Sequence, residues 1–216
     1  MHLNGGAGTT SINVTGQYFG PSSALGGVLA PLRQVSGASI FTGDQNYLGL
    51  QLRWAGCLTT PIAECHTMGA SPHGTLPRGY FNAKSDYVGK PFPAAARNLL
   101  VQAAERRASI PGSGAILFDS YGGAINRVHP NATAFVHRNQ LCCMQYLTYN
   151  DNGPWIGQTW ASMRPYVSGT AYQNYIDASQ PNWQQAYYAG NYKRLEATRK
   201  RVDPDHRFNF PQAIGR

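Results

Sequence analysis

The stretch GAILFDSYGGAINRVHPNATAFVHRNQLCCMQYLTY, Gly114 to Tyr149, decides the fold. Its first part alternates apolar and polar side chains and breaks at Gly122 and Gly123, the pattern of a half-buried strand ending in a turn. Its second part, TAFVHRNQLCCMQYLTY from Thr133, is long enough for one bent strand or two. Read as joined by short turns, these strands run antiparallel.

The flanking segments are helical. PAAARNLLVQAAERRA places Ala96, Leu99, Leu100, Ala103 and Ala104 on one 3.6-residue face with Pro93 just ahead. GPWIGQTWASMRPYV carries Trp155, Trp160 and Met163 at helical spacing, read as core side chains and not as a cofactor box. TAYQNYID reads as a short strand, and a closing helix runs from Asn191 to Val202, stopped by Pro204. Toward the N-terminus, SINVTGQYFG reads as a strand ending at Gly20 and Pro21. Ser22 or Ser23 then caps a helix, and a second short helix spans Asn46 to Trp54. GASPHGTLPRG, from Gly69, reads as loop. The expected class is α+β, a large antiparallel sheet covered by helices on one face.

The 216 residues suffice for a sizeable core, and 42% hydrophobic with 13% charged residues describes a folded chain. The net charge of +8 raises nucleic-acid binding. Its densest cluster, Lys193, Arg194, Arg199, Lys200 and Arg201, sits on the closing helix without any recognition motif, so it reads as a solvated face. No apolar run is long enough to span a membrane. Sequons at Asn13 and Asn131, with Cys57 and Cys65 spaced for a disulfide-closed loop, point to secretion of a glycoprotein. Cys142 and Cys143 read as buried free thiols, and the scattered histidines suggest no metal site.

Serine-nucleophile, phosphate-loop and zinc motifs are missing. What stands out is polar residues at predicted strand positions: Asp119, Gln145, and Tyr172 with Tyr175. On one sheet face such a cluster is either a structural tyrosine–carboxylate bond or a catalytic one. In the catalytic case the aspartate accepts the phenol's proton or eases phenolate formation, making a base for a substrate hydroxyl.

The C-terminal segment YYAGNYKRLEATRKRVDPDHRFNFPQAI resembles the closing signature of the berberine-bridge-enzyme-like FAD-linked oxidases. The match runs through Tyr188, Gly190, Asn191, Tyr192, Arg194, Leu195, Asp203, Pro204, Phe208, Pro211, Gln212 and Ile214. It departs at Ala213, where serine is usual, and in the Ala189–Gly190 spacing. VTGQYFGPSSALGGVLAPL, YGGAINRVHPNATAFVHR and AYQNYID resemble further segments of that family's substrate domain, so the likeness extends from about Ile12 onward.

The resemblance implies a substrate domain over residues 1–180 and a C-terminal segment, 181–216, that returns to an FAD-binding domain. That domain's glycine-rich loop and flavin-linking residues are not among these residues, so the chain is expected to be a fragment, a processed half or a subunit that holds FAD weakly by itself. Carried over residue by residue, the resemblance implies Tyr175 as catalytic base, with Asp119 its acidic partner and Tyr121 a second catalytic tyrosine. Gln145 and Tyr172 would bind substrate. Tyr188, Asn191 and Tyr192 would face the cofactor, although Asn191 also reads as a helix N-cap.

The expected partners are FAD, the domain or chain that completes the enzyme, an alcohol or sugar, and O2, with neither nucleic acid nor membrane. Two rivals stand beside the oxidase: a non-catalytic glycan- or small-ligand-binding domain, and a basic interaction protein.

Overall fold

The computed structural model describes residues 1–65, 79–151 and 153–216. The described residues form two compact units, one of residues 1–14 with 80–216 and one of residues 15–79. The loop expected at GASPHGTLPRG lies outside the described residues apart from Gly79.

The first unit is built on a five-stranded, wholly antiparallel sheet in the order β2-β1-β4-β5-β3. Strands β1 (His2–Gly6) and β2 (Thr9–Asn13) form a hairpin, and β3 is Phe81–Val88, β4 Ser113–Ser120 and β5 Cys142–Tyr149. Because side chains alternate across a strand, the register sorts them into two faces. Leu3, Val88, Ile116, Met144 and Tyr146 point one way. They pack beneath helix α3 (Ala94–Ala108) and helix α5 (Trp155–Met163), whose Leu100, Ala103, Trp155 and Met163 complete the core. The fold class is thus as expected, with α3 and α5 on one face.

Small residues let α3 lie almost on the sheet. A Cβ on Gly5 would sit 2.3 Å from the Ala104 carbonyl oxygen and 2.8 Å from the Arg107 Cβ. The Trp155 indole donates to the Ala103 carbonyl at 2.7 Å, tying the two helices. Fully buried Arg107 donates to Asp151 at 2.6 Å and to the Pro111 carbonyl, fixing the turn from α3 into β4.

Several expectations need correction. Strands β1 and β3 were not anticipated. Asn4, Gly5 and Gly6 dilute the strand signal in the first, and Asn82, Lys84 and Asp86 dilute it in the second. The link from β4 to β5 is not a short turn but residues 121–141, including helix α4 (Gly123–Arg127). The chain leaves β4 through Gly122 and Gly123, whose φ values of 140° and 47° lie in the range that favours glycine. Residues 133–141 are irregular, because the Arg138 guanidinium bonds the Phe135 and Ile125 carbonyls and the Thr133 hydroxyl, curling the segment on itself. TAYQNYID is not a strand either: residues 171–178 run as turns and coil. After it come α6 (Trp183–Tyr188), a 3-10 turn and α7 (Tyr192–Val202).

In the second unit, helix α1 (Ser22–Arg33) has Pro21 at its N-cap. Neither Ser22 nor Ser23 caps it, since proline's fixed φ already sets the entry. Helix α2 (Tyr47–Trp54) lies where a short helix was expected, one residue shorter, because Asn46 stands outside it as the cap, its side chain accepting from Gly49 N at 2.8 Å. The Cys57–Cys65 disulfide closes the following loop.

The tight contact at Gly5 predicts that Gly5→Ala lowers stability by about 1–3 kcal/mol through overpacking. Urea denaturation should show an earlier midpoint with an unchanged slope, and a midpoint equal to the parent's would mean that α3 can retreat without loss.

Candidate functional site

The sheet face away from α3 and α5 carries the polar residues. Register places Tyr87, Cys143 and Asp119 side by side across β3, β5 and β4, with Ser85, Gln145 and Leu117 one step along on the same face. Asp119 and Gln145 therefore share a face, as period-two alternation requires.

Above this floor the connecting segments supply rings. Tyr121 follows β4, Phe135 and His137 come from the 121–141 link, and Tyr172 and Tyr175 from the segment after α5. Tyr87 stacks on His137 at 4.1 Å and meets Tyr121 edge-on at 5.5 Å, their hydroxyls 3.2 Å apart. Phe135 packs edge-on against Tyr172 at 6.1 Å, and Tyr172 against Tyr175 at 5.0 Å. The Tyr172 hydroxyl accepts from Asn174 at 2.9 Å.

Electrostatics set the protonation states. Burial raises the Tyr175 phenol above its usual pKa, and Asp119, Cys143 and Tyr172 push the same way. Burial likewise pushes Tyr121 up to about 12 and Cys143 up to about 12. The effect of Asp119 is thus opposite to the expected easing of phenolate formation: a carboxylate beside the phenol keeps Tyr175 protonated at rest. No hydrogen bond joins the two among the described residues. Cys142 and Cys143 are free thiols, as expected, and no cluster among the described residues could hold a metal.

Of the predicted site residues, Asp119, Tyr121, Gln145, Tyr172 and Tyr175 come to this one face. The C-terminal trio does not join the aromatic cluster. Asn191 is buried, and its side-chain amide donates to the Pro130 and Thr133 carbonyls at 2.8 and 3.1 Å; it does not cap its own helix. The Tyr192 hydroxyl accepts from Gly215 N at 3.1 Å, and Tyr188 packs on Trp183 and Tyr192. The basic face of α7 is only partly solvated, since Arg194 donates to the Asn131 and Thr133 carbonyls and Arg199 to those of Asp203 and Gly215.

Tyr87 and His137 were missed. The alternation Ala83, Ser85, Tyr87 in YFNAKSDYV was the available signal for the first. His137 is buried and binds the Tyr187 carbonyl at 3.1 Å, which ties the aromatic cluster to α6. On the helix-covered face the structure adds Asp86, fully buried, accepting from the Tyr146 hydroxyl at 3.0 Å and paired with Arg164.

A family profile described as Berberine and berberine like matches residues 171–215. The uncharacterized FAD-linked oxidoreductase YgaK of Bacillus subtilis is 28% identical over 94% of this chain and 43% of its own length. The structure of Physcomitrella patens BBE-like 1 superposes with a TM-score of 0.74 at 30% identity, over 90% of this chain and 42% of that one. That of Phl p 4, a grass pollen allergen with glucose dehydrogenase activity, superposes with a TM-score of 0.55 at 31% identity, over 63% of this chain and 33% of that one. The chain thus spans less than half the length of these relatives.

Two buried groups predict opposing pH responses. Burial lowers the His137 pKa from 6.5 to about 4, so its contribution to stability is present above pH 6.5 and is lost as pH falls toward 4. Burial, only partly offset by Arg164, raises Asp86 from 3.8 to about 7, so its contribution is present below pH 3.8 and lost as pH rises through 7. Asp86→Asn should therefore leave a protein that weakens on acidification across this window, and His137→Gln one that strengthens. Denaturation midpoints taken between pH 4 and 7 check both slopes, and parallel curves for the two variants would contradict the assignment.

Proposed function

The chain belongs to the berberine-bridge-enzyme-like family, and on that premise we propose that it forms the substrate-side part of an FAD-dependent oxidase. The substrate is an alcohol group of a carbohydrate, or of a glycosylated or other secondary metabolite. The observation that carries the reading is the convergence of Tyr175, Asp119, Tyr121, Tyr172 and Gln145 on the sheet face opposite the packed helices. Half-buried phenols and an exposed carboxylate on such a face suit a hydroxylated substrate, which needs hydrogen-bond partners and flat apolar contact together.

Tyr175 acts as the proton acceptor for the substrate hydroxyl. Because its pKa is raised, it cannot wait as a phenolate; it takes the substrate's proton as it releases its own, and Asp119, close enough to be felt electrostatically though not hydrogen-bonded to it, is the proposed acidic partner that receives that proton, so that one negative charge moves and no second one accumulates. Tyr121, bonded to Tyr87, holds the near wall and can donate to the substrate oxygen. Gln145 and the Tyr172 hydroxyl orient further hydroxyls. FAD, when bound, supplies the hydride acceptor and is reoxidised by O2 to give H2O2.

The aromatic, polar face fits a flavin brought by a completing domain or chain, and residues 181–216 are the segment proposed to reach it. Among Tyr188, Asn191 and Tyr192, the hydroxyl of Tyr188 makes no hydrogen bond among the described residues, so we assign direct cofactor contact to Tyr188. The other two shape the segment through their internal bonds. The Cys57–Cys65 disulfide and the sequons at Asn13 and Asn131 support secretion as a glycoprotein.

In the complete enzyme, Tyr175→Phe should retain FAD by its visible spectrum while single-turnover flavin reduction by substrate slows about 100-fold or more. An unchanged reduction rate would remove Tyr175 from the role. Sugar binding without any flavin reduction, in wild type as well as variant, would favour the non-catalytic binding domain.

A further inference from the structure

The Tyr172–Asp177 segment has no strand pairing of its own, yet it carries the proposed base, so something else must hold it. It lies against the outer edge of β3, which is the border strand of the sheet. Just upstream, Tyr87 N donates to the Thr170 carbonyl at 3.2 Å, and Ser168 N donates to the Tyr87 carbonyl at 2.8 Å. The next two anchors come from neighbouring β3 residues whose side chains point to opposite faces. On the site face, the Ser85 hydroxyl accepts from Tyr172 N at 2.9 Å. From the helix-covered face, the Lys84 ammonium reaches Asp177 at 2.6 Å and the Ser179 hydroxyl at 2.8 Å. The segment is therefore drawn over the sheet edge, with Tyr175 between two fixed points.

Asp177 is the hub of this arrangement. Besides Lys84, its carboxylate accepts from Ser179 N and Oγ, at 2.8 and 2.7 Å. Its backbone N–H donates to the Tyr187 hydroxyl at 3.0 Å, and its carbonyl accepts from the side-chain amide of Gln212, close to the C-terminus, at 2.8 Å. Lys84 and Asp177 expose only 16% and 12% of their side chains, so the ion pair is shielded from water and salt. The Lys84 ammonium is 5.0 Å from the Trp160 ring centroid, which restricts where the cation can go. Burial alone would raise the Asp177 carboxyl, but hydrogen bonds from Lys84 and Ser179 more than offset it and keep it ionised.

We propose that Lys84, Asp177 and Gln212 are positioning residues for Tyr175, forming a strap over the edge of the sheet that the C-terminal segment locks in place. None of the three is assigned to touch substrate or flavin. Gln212 makes the seating of the C-terminal segment a condition for a correctly placed Tyr175. This inference rests on the reading of Tyr175 as proton acceptor.

The test uses the full-length, FAD-loaded protein with Lys84→Met, Lys84→Arg, Gln212→Ala and Tyr175→Phe. Backbone hydrogen exchange over residues 170–180 should rise about tenfold or more in Lys84→Met and Gln212→Ala while β4 and β5 stay protected, and Lys84→Arg should restore protection. Single-turnover flavin reduction should slow about tenfold or more in the same two variants at unchanged substrate affinity, again with rescue by arginine. Unchanged exchange would overturn the strap itself. Raised exchange with an unchanged reduction rate, in a background where Tyr175→Phe is slow, would overturn positioning while leaving the base in place. A Tyr175→Phe variant that reduces its flavin at the parent's rate would instead overturn the functional reading, and the exchange data would then judge the strap alone.

Discussion

The pairing of β5 between β3 and β4 is the constraint on which the rest of this molecule depends. Cys143 stands opposite both Tyr87 and Asp119, and Met144 opposite both Asp86 and Phe118. Because the side-chain period is two, a slip of β5 by one residue would turn Cys143 and Gln145 into the helix-packed core and bring Met144 and Tyr146 out of it. The two faces are too different to tolerate that exchange. One must fill the space beneath Leu100, Trp155 and Met163; the other carries a carboxylate and an amide under a layer of rings. Core packing thus enforces the register, and the register assembles the site.

The same logic explains which parts could be read from the sequence. Helices α3 and α5 were legible because their apolar residues recur at the helical period and their ends carry proline signals. The shared face of Asp119 and Gln145 was legible because alternation is local. The edge strand β3 was not, because Lys84, Ser85 and Asp86 are buried or partly buried polar groups whose partners, Asp177, Tyr172 and Arg164, lie about 80 to 90 residues away. Only tertiary contacts make such a strand favourable. For a similar reason AYQNYID looked like a strand: its aromatic residues answer to packing on Tyr87 and Phe135, not to a ladder. Asn191 looked like an N-cap because its position allowed one, whereas its amide serves two carbonyls of a distant loop.

Charge is distributed unevenly between the two sides of the sheet. Beneath it, Arg107 is paired with Asp151 and Arg164 with Asp86, so that face is both apolar and tied. Unpaired buried charges would be costly there, and pairing makes their geometry specific. Above it the groups are mainly phenols, a neutral imidazole and the Cys143 thiol, all kept uncharged by burial. A neutral surface with one adjacent carboxylate can pass a proton with little rearrangement of solvent, and that is the chemistry proposed for it.

The hairpin of β1 and β2 has a topological consequence. Residues 2–6 pair with residues 113–117, so the sheet closes a circuit of more than a hundred residues, and residues 15–79 form an excursion from within that circuit. The entropy of closing a circuit grows only logarithmically with its length, each doubling adding about 0.6 kcal/mol. Insertions or deletions in the excursion would therefore change the closure term very little and leave every strand partner where it is. Evolution can remodel residues 15–79 while the strand ladder, and the face it presents, stay untouched.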